Sequence, residues 1–219
     1  MVIGSHVIFS TYGFWLPNDP RGSWSEFVGA WELFRAGGRA TKTTERRSLA
    51  YDPHDHARRL ATKQALQRPP VKFTGLQARA VGRGFADYVS RSGLTVWACA
   101  VLPDHVHLVL GRFRLDVEKV VIQLKGAATE RLVAEGLHPF GGEAKCFVRG
   151  EWKAFLESPA DVARAIRYVE ANPVREGLPR QRWPFVTPYD PAVSYRLALN
   201  AYVSRPTAQR KPMAPRTVA

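Results

Sequence analysis

The run His-Val-His-Leu-Val-Leu over residues 105–110 is the clearest strand signal in the chain. Side chains of a strand point alternately to its two faces, so Val106, Leu108 and Leu110 share one face and belong to a core. His105, His107 and Val109 share the other face. By strand rise the two histidine side chains start roughly 7 Å apart, a distance over which two imidazoles can converge on one divalent metal ion.

The stretch before this strand is apolar on both faces. Residues 95–102 carry Val, Trp, Ala, Cys and Leu without alternation, a pattern typical of a strand buried in the centre of a sheet. Pro103 and Asp104 are turn residues between the two strands. The pattern predicts a tight hairpin that places the histidine pair on one face of a sheet.

Apolar residues at helical spacing predict three helices, over residues 74–92, 115–135 and 158–173. Thr74 is a suitable N-cap for the first helix, and Gly93 is a suitable C-terminal glycine. Two further strands are predicted by β-branched and aromatic residues. They cover residues 2–12 and 152–157.

The third helix carries the second informative motif. Ser158 is a good N-cap, Pro159 suits the first helical position, and Pro173 is expected to end the helix. Tyr168 lies well off the apolar stripe, so it is not placed as a core aromatic. Asn172 follows one turn later on the same side.

The remaining segments predict less structure. Aromatic residues within 13–24 either stack on bases or cover the edge of a core. Residues 25–69 are basic, with a short helix near 55–66, and their surface either binds phosphate or is simply solvated. Residues 174–189 are expected to pack as a closing strap.

We expect one domain over residues 1–190, with an insertion at about 20–69. A basic, proline-containing and mobile tail is expected over residues 191–219.

Charge and composition indicate the partner and the compartment. The chain has 219 residues and a formal net charge of +13, which favours a polyanionic partner such as nucleic acid. Cys99 and Cys146 are expected to be free thiols in a reducing compartment. The N-terminus does not resemble a signal peptide, and no apolar run approaches the length of a membrane span. We therefore expect a cytoplasmic protein.

These features together indicate one chemistry. His105 and His107 can bind a metal ion that polarises a scissile phosphate, and Asn172 can add an amide oxygen. Oxygen and imidazole ligands favour Mg²⁺ or Mn²⁺. The Tyr168 hydroxyl can act as the nucleophile, giving a covalent phosphotyrosine and a free 3′ hydroxyl. The candidate DNA-binding cations are Lys125, Arg164, Arg167 and Arg175.

The two motifs resemble those of the single-tyrosine HUH transposases. Pro-Asp-His-Val-His-Leu-Val over residues 103–109 resembles their histidine–hydrophobic–histidine motif. Tyr-Val-Glu-Ala-Asn-Pro-Val-Arg-Glu-Gly over residues 168–177 resembles the tyrosine segment of their REP-associated branch, and Lys125-Gly126 also matches. The likeness spans about residues 3–185.

The resemblance implies an α+β, ferredoxin-like domain, whose antiparallel sheet we expect to carry helices packed on one face. It implies binding of a hairpin in single-stranded DNA and cleavage through a 5′-phosphotyrosine. His105 and His107 would bind the metal, and Tyr168 would be the nucleophile. Asn172 would supply the third ligand, where insertion-sequence members often have Gln. The protein would be a monomer or homodimer, cytoplasmic and nucleoid-associated.

Three other classes of protein share part of this pattern. Histidine-triad hydrolases need a third histidine where Val109 stands, and two-histidine phosphoesterases need two His-x-Ser/Thr motifs, whereas Leu108 follows the single pair here. Both are disfavoured. A domesticated DNA-binding protein that keeps the fold without catalysis remains the alternative, and only covalent chemistry distinguishes it.

Overall fold

Four strands and six helices are formed by the part of the chain that the computed structural model describes, residues 1–16, 19, 28, 31–39 and 55–203. The strands are β1 Gly4–Ser10, β2 Val96–Val101, β3 His105–Gly111 and β4 Trp152–Leu156. The helices are α1 Trp31–Gly37, α2 His56–Gln64, α3 Gly75–Ser92, α4 Val117–Ala134, α5 Pro159–Arg175 and α6 Pro191–Val203. The chain divides into two compact units, one of residues 10–72 and one of the remainder.

The strands form one sheet in the order β2-β3-β1-β4, and β2 pairs with β3, and β1 with β4, in antiparallel fashion. The hairpin predicted from the histidine motif is present, with His107 opposite Ala100 and Val106 opposite Val101. The predicted α+β class with an antiparallel sheet is confirmed. The ferredoxin-like topology stays a prediction.

Helices cover both faces of the sheet, so the expectation of helices on one face is wrong. Phe9 of β1 packs edge-on against Phe85 of α3, which crosses α4. On the opposite face, Val109 of β3 lies in one cluster with Val162 and Val169 of α5. The reason is visible in β2 and β3, whose apolar residues are buried on both faces and therefore need cover on both.

The apolar composition of β2 predicted a strand at the centre of the sheet. In the structure β2 lies at the edge. The predicted strap covers this edge: the Gln181 amide donates to the Val101 carbonyl and accepts from its N–H, both at 2.8 Å. The Thr187 N–H donates to the Val96 carbonyl at 2.9 Å. Burial of β2 therefore comes from the strap and from helices on both sides, which a run of apolar residues cannot distinguish from a central strand.

Helix α5 begins as predicted and ends later than predicted. Ser158 and Asp161 form a capping box, with Pro159 in the first turn. The helix passes through Pro173 and ends at Arg175, because a proline this close to the C-terminus removes only one hydrogen bond of the last turns. The chain then turns at a left-handed glycine, and the next N–H donates back to the Pro173 carbonyl at 2.7 Å.

Residues 191–203 form α6, although the sequence placed them in a mobile tail. Ala198 and Ala201 are buried, and Ala198 joins the core cluster beneath α5. Small apolar residues without a clear helical stripe gave no signal for this packing. Residues 204–219, and most of the aromatic and basic segment at 17–54, lie outside the described residues.

The smaller unit contains α1 and α2. Helix α2 confirms the short helix predicted near residues 55–66, and Asp55 caps it by accepting a hydrogen bond from the Arg58 N–H. Helix α1 was not predicted. None of the helices in the described part of the chain is both long and apolar enough to cross a bilayer. Cys99 and Cys146 are buried free thiols, as predicted.

Helices α3 and α4 cross closely at Gly84. A Cβ atom there would lie 2.5 Å from the Ala127 carbonyl oxygen and 2.7 Å from the Ala128 Cα, whereas Gly126 of α4 has open space around it. We expect Gly84→Ala to lower the free energy of unfolding by about 1–3 kcal/mol, because overpacking outweighs better helix propensity. Gly126→Ala should raise it by about 0.5–1 kcal/mol. Urea denaturation of both variants tests this, and a Gly84→Ala protein as stable as Gly126→Ala would contradict the close crossing.

Candidate functional site

The two predicted histidines converge at the start of β3. The ring centroids of His105 and His107 lie 4.8 Å apart, with the ring planes at 69°. The Asp104 carboxylate lies 2.8 Å from Nδ1 of His105, so this histidine would coordinate a metal ion through Nε2. The turn residue that precedes the strand therefore also orients its first imidazole.

Tyr168 reaches the histidine pair from α5. Its side chain is 43% exposed, and its ring meets His107 edge-on, with the centroids 5.7 Å apart. The guanidinium carbon of Arg175 lies 5.5 Å from the centre of the Tyr168 ring. The structure thus brings the predicted nucleophile to the predicted metal ligands while leaving it accessible to a substrate.

A third histidine, which the sequence analysis missed, completes this cluster. His6 of β1 is buried, and its Nε2 lies 3.2 Å from Nδ1 of His107. The two ring planes are inclined by 23°, and their centroids lie 5.4 Å apart, so the nitrogens face each other nearly in the plane of the rings. His6 also meets Tyr168 edge-on at 5.7 Å and Trp152 of β4 at 5.5 Å. Its signal in the sequence was a histidine beside the apolar residues of a predicted strand.

Burial keeps two of these imidazoles neutral. Loss of solvation lowers the pKa of His6 to about 4. Loss of solvation, followed by the proximity of His105 and His6, lowers the pKa of His107 to about 2. At neutral pH both rings therefore carry a lone pair, which is the state in which imidazole binds a metal ion.

Asn172 is buried one helical turn after Tyr168, and its Nδ2 has no hydrogen-bond partner among the described residues. The two ends of an amide are assigned from such contacts, so this end of the side chain is available to a ligand as oxygen or nitrogen. No group of three His, Cys, Asp or Glu side chains in the described ranges is arranged to hold a metal ion. Among the described residues, a third protein ligand would therefore be of another type, and the orphaned amide of Asn172 is the candidate.

Three of the four predicted DNA-binding cations lie on α5. Arg164, Tyr168, Asn172 and Arg175 follow one side of the helix at spacings of four, four and three residues. Arg167 is exposed beside this row, and Arg164 pairs with Asp161. The helix therefore presents positive charge on both sides of its tyrosine.

Lys125 lies elsewhere, on the side of the sheet covered by α3 and α4. Its Nζ donates to the Val148 carbonyl at 2.9 Å and to the Gly150 carbonyl at 2.5 Å, and it lies 5.0 Å from the centre of the Phe9 ring. Phe9 and His6 point to opposite faces of β1. The structure therefore does not bring Lys125 to Tyr168; it shows the ammonium holding the loop that leads into β4.

The partly buried ammonium of Lys125 predicts a pH dependence of stability. Burial lowers the pKa of Lys125 to about 8, with Glu151 opposing the shift, against about 10.4 in an unfolded chain. Between these two pKa values the Lys125 amine is mostly protonated in the unfolded chain and mostly neutral in the folded one. The free energy of unfolding therefore rises with pH through this window, and this contribution is lost as the pH falls towards 8.

Lys125→Met should remove this dependence. Between pH 7.5 and 9.5 the free energy of unfolding of the wild type should rise by about 1–2 kcal/mol relative to that of the variant, after allowing for solvent screening. Urea unfolding at both pH values measures it. If the free energies of unfolding of the two proteins differed by the same amount at both pH values, Lys125 would not titrate in this range in the folded protein.

No model of a known protein family matches the sequence, and no curated protein is significantly similar to it. Several chains of solved structures are similar, including the two that follow. A REP-associated tyrosine transposase bound to a REP hairpin is 14% identical, aligns over 84% of this chain and 76% of its own, and gives a TM-score of 0.44. A transposase candidate from Deinococcus radiodurans R1 is 18% identical over 78% of this chain and 90% of its own, with a TM-score of 0.35. Because both sequence identities and both TM-scores are this low, these similarities carry no argument about function.

Proposed function

We propose that this protein is a metal-assisted tyrosine transposase that cleaves and rejoins hairpin-containing single-stranded DNA. The observation that carries the proposal is the accessible Tyr168 ring lying edge-on against His107, beside the convergent His105. A tyrosine hydroxyl that can act as a nucleophile and two imidazoles that can bind a metal ion thus lie together on a strongly basic chain, which supports the proposal.

In the proposed reaction the Tyr168 oxygen attacks a backbone phosphorus atom. A bond from Oη to phosphorus forms, the bond from phosphorus to O3′ breaks, and the phenolic proton passes to solvent while the leaving 3′ oxygen takes up a proton. The products are a 5′-phosphotyrosine and a free 3′ hydroxyl. Attack by another 3′ hydroxyl reverses the step and joins two strands, so no further source of energy is needed.

His105, His107 and Asn172 would hold Mg²⁺ or Mn²⁺. When bound, the ion neutralises charge on the scissile phosphate. Asp104 orients His105 for this role, and burial keeps His107 neutral. The amide completes a mixed nitrogen and oxygen donor set, which suits these ions better than a structural zinc site.

The arginines of α5 would hold the DNA backbone on either side of the scissile bond. Arg175 lies over the Tyr168 ring, and Arg164 and Arg167 lie towards the start of the helix. Guanidinium groups bind phosphate with two parallel hydrogen bonds. The hairpin in the proposed substrate follows from the motif resemblance, and the acting species is proposed as a monomer or homodimer.

Covalent chemistry tests the proposal. The full chain is incubated with Mn²⁺ and end-labelled single strands that contain hairpins from the flanks of its own gene. The proposal would be supported by a protein–DNA band that survives denaturation and by mass spectrometry that maps the covalently attached nucleotide to Tyr168. Tight binding without a covalent product on any flank would instead favour a DNA-binding protein that has the fold but not the activity.

A further inference from the structure

We infer that His6 is a positioning residue, which sets the tautomer of His107 and so makes its outer nitrogen a metal ligand. The inference rests on the proposed function in taking His107 as a ligand. Its starting point is the 3.2 Å contact between Nε2 of His6 and Nδ1 of His107, two residues whose ring planes are inclined by only 23°, which suits an in-plane hydrogen bond between two imidazoles.

Only one arrangement of the protons at this contact is compatible with metal binding by His107. If Nε2 of His6 donates, then Nδ1 of His107 is the acceptor, and neutral His107 carries its proton on Nε2, where it blocks coordination. If Nδ1 of His107 donates, its Nε2 has a lone pair directed away from His6. Metal binding by His107 therefore requires His6 as the hydrogen-bond acceptor, with its own proton on Nδ1.

The environment explains why an imidazole suits this position. His105 is partly exposed and is oriented by the Asp104 carboxylate, the usual kind of partner for a metal-binding histidine. His107 is only 3% exposed, and an ionised carboxylate beside it would be costly to bury. The neutral His6 ring accepts the same hydrogen bond without bringing a charge into the sheet.

Packing holds His6 in place for this role. Trp152 from β4 meets its ring edge-on at 5.5 Å on one side, and His107 of β3 lies beside it, with the ring centroids 5.4 Å apart. The ring also contacts Tyr168 edge-on at 5.7 Å. One side chain of the first strand thereby contacts both the metal ligand and the nucleophile.

Two substitutions separate this role from simple packing. His6→Gln places an amide oxygen near the position of the ring Nε2, so it can still accept from His107. His6→Phe keeps an aromatic ring of similar size without an acceptor. The first measurement is long-range ¹H–¹⁵N correlation of the imidazoles in the metal-free full chain at neutral pH.

In that measurement the wild type and His6→Gln should show His107 protonated on Nδ1. His6→Phe should show the proton on Nε2. A wild-type His107 protonated on Nε2 would overturn the inference, whatever the protein does to DNA.

The second measurement is Mn²⁺ binding in the absence of DNA, followed by electron paramagnetic resonance. Loss of the partner of a ligating histidine typically weakens metal binding 10–100-fold, so we expect this for His6→Phe and only a few-fold change for His6→Gln. Equal losses in both variants, with thermal unfolding of each unchanged, would show that packing alone matters and would overturn the inference.

The two proposals fail in different ways. A wild type with the expected tautomer but without Mn²⁺ binding would refute the metal site of the proposed function while leaving the tautomer assignment intact. Mn²⁺ binding that depends on His6, without any covalent DNA product, would refute the transposase activity alone. The denaturing gel and the metal titration are therefore run on the same preparations.

Discussion

Tyr168→Phe is expected to reduce covalent attachment to DNA by at least about a thousandfold. The substitution removes only the hydroxyl group that would form the bond to phosphorus. The ring that contacts His6 and His107 remains, and so does the surface under Arg175. Affinity for the same single strand should therefore stay within about threefold, because its main source is charge on arginine side chains.

Tyr195→Phe is the matched control. Tyr195 is a tyrosine of similar exposure, 37% against 43%, on α6. Covalent attachment should persist in this variant. Loss of attachment in both variants, or its persistence in Tyr168→Phe, would mean that another group is the nucleophile. Gel shifts under native conditions and denaturing gels of the same reactions give binding and chemistry separately.

His105→Ala is expected to lower the cleavage rate by at least about a hundredfold at low Mn²⁺ concentration. One of the two proposed imidazole ligands is lost, whereas the proposed nucleophile and the arginines of α5 are unchanged. Because the defect is one of metal affinity, raising the Mn²⁺ concentration should restore part of the rate. No metal concentration should restore Tyr168→Phe.

Two controls accompany His105→Ala. Asp104→Asn keeps a side chain of the same size but weakens the partner of His105, so it should lose about 10–100-fold in metal affinity. His56→Ala changes an exposed histidine of α2, in the other unit, and should cleave at the wild-type rate. A His105→Ala protein that cleaves normally at low metal concentration would contradict the assignment of this histidine as a ligand.

Local sequence patterns predicted the parts of the site that lie on single elements. The alternation around His105 and His107 placed both rings on one face of a strand, and the off-stripe position of Tyr168 placed it outside the core. These predictions succeed because strand and helix periods depend on neighbouring residues alone.

His6 escaped prediction because its role depends on which strands are neighbours. It is 101 residues from His107 in the chain, and the contact arises only because β1 lies beside β3 in the sheet. The same limit explains β2, whose apolar composition reports burial but not what buries it. The α6 helix was missed because its contribution to the core consists of small residues such as Ala198.

The strap over β2 has a consequence for association between molecules. An open strand edge offers unpaired N–H and carbonyl groups to any extended chain, and is a common starting point for aggregation. Here the Gln181 amide satisfies both backbone groups of Val101, and Thr187 satisfies the Val96 carbonyl. The Gln181 side chain and the Thr187 backbone thus supply, at Val101 and Val96, pairing that a fifth strand would give, and they leave fewer backbone groups at this margin of the sheet for another polypeptide to bind.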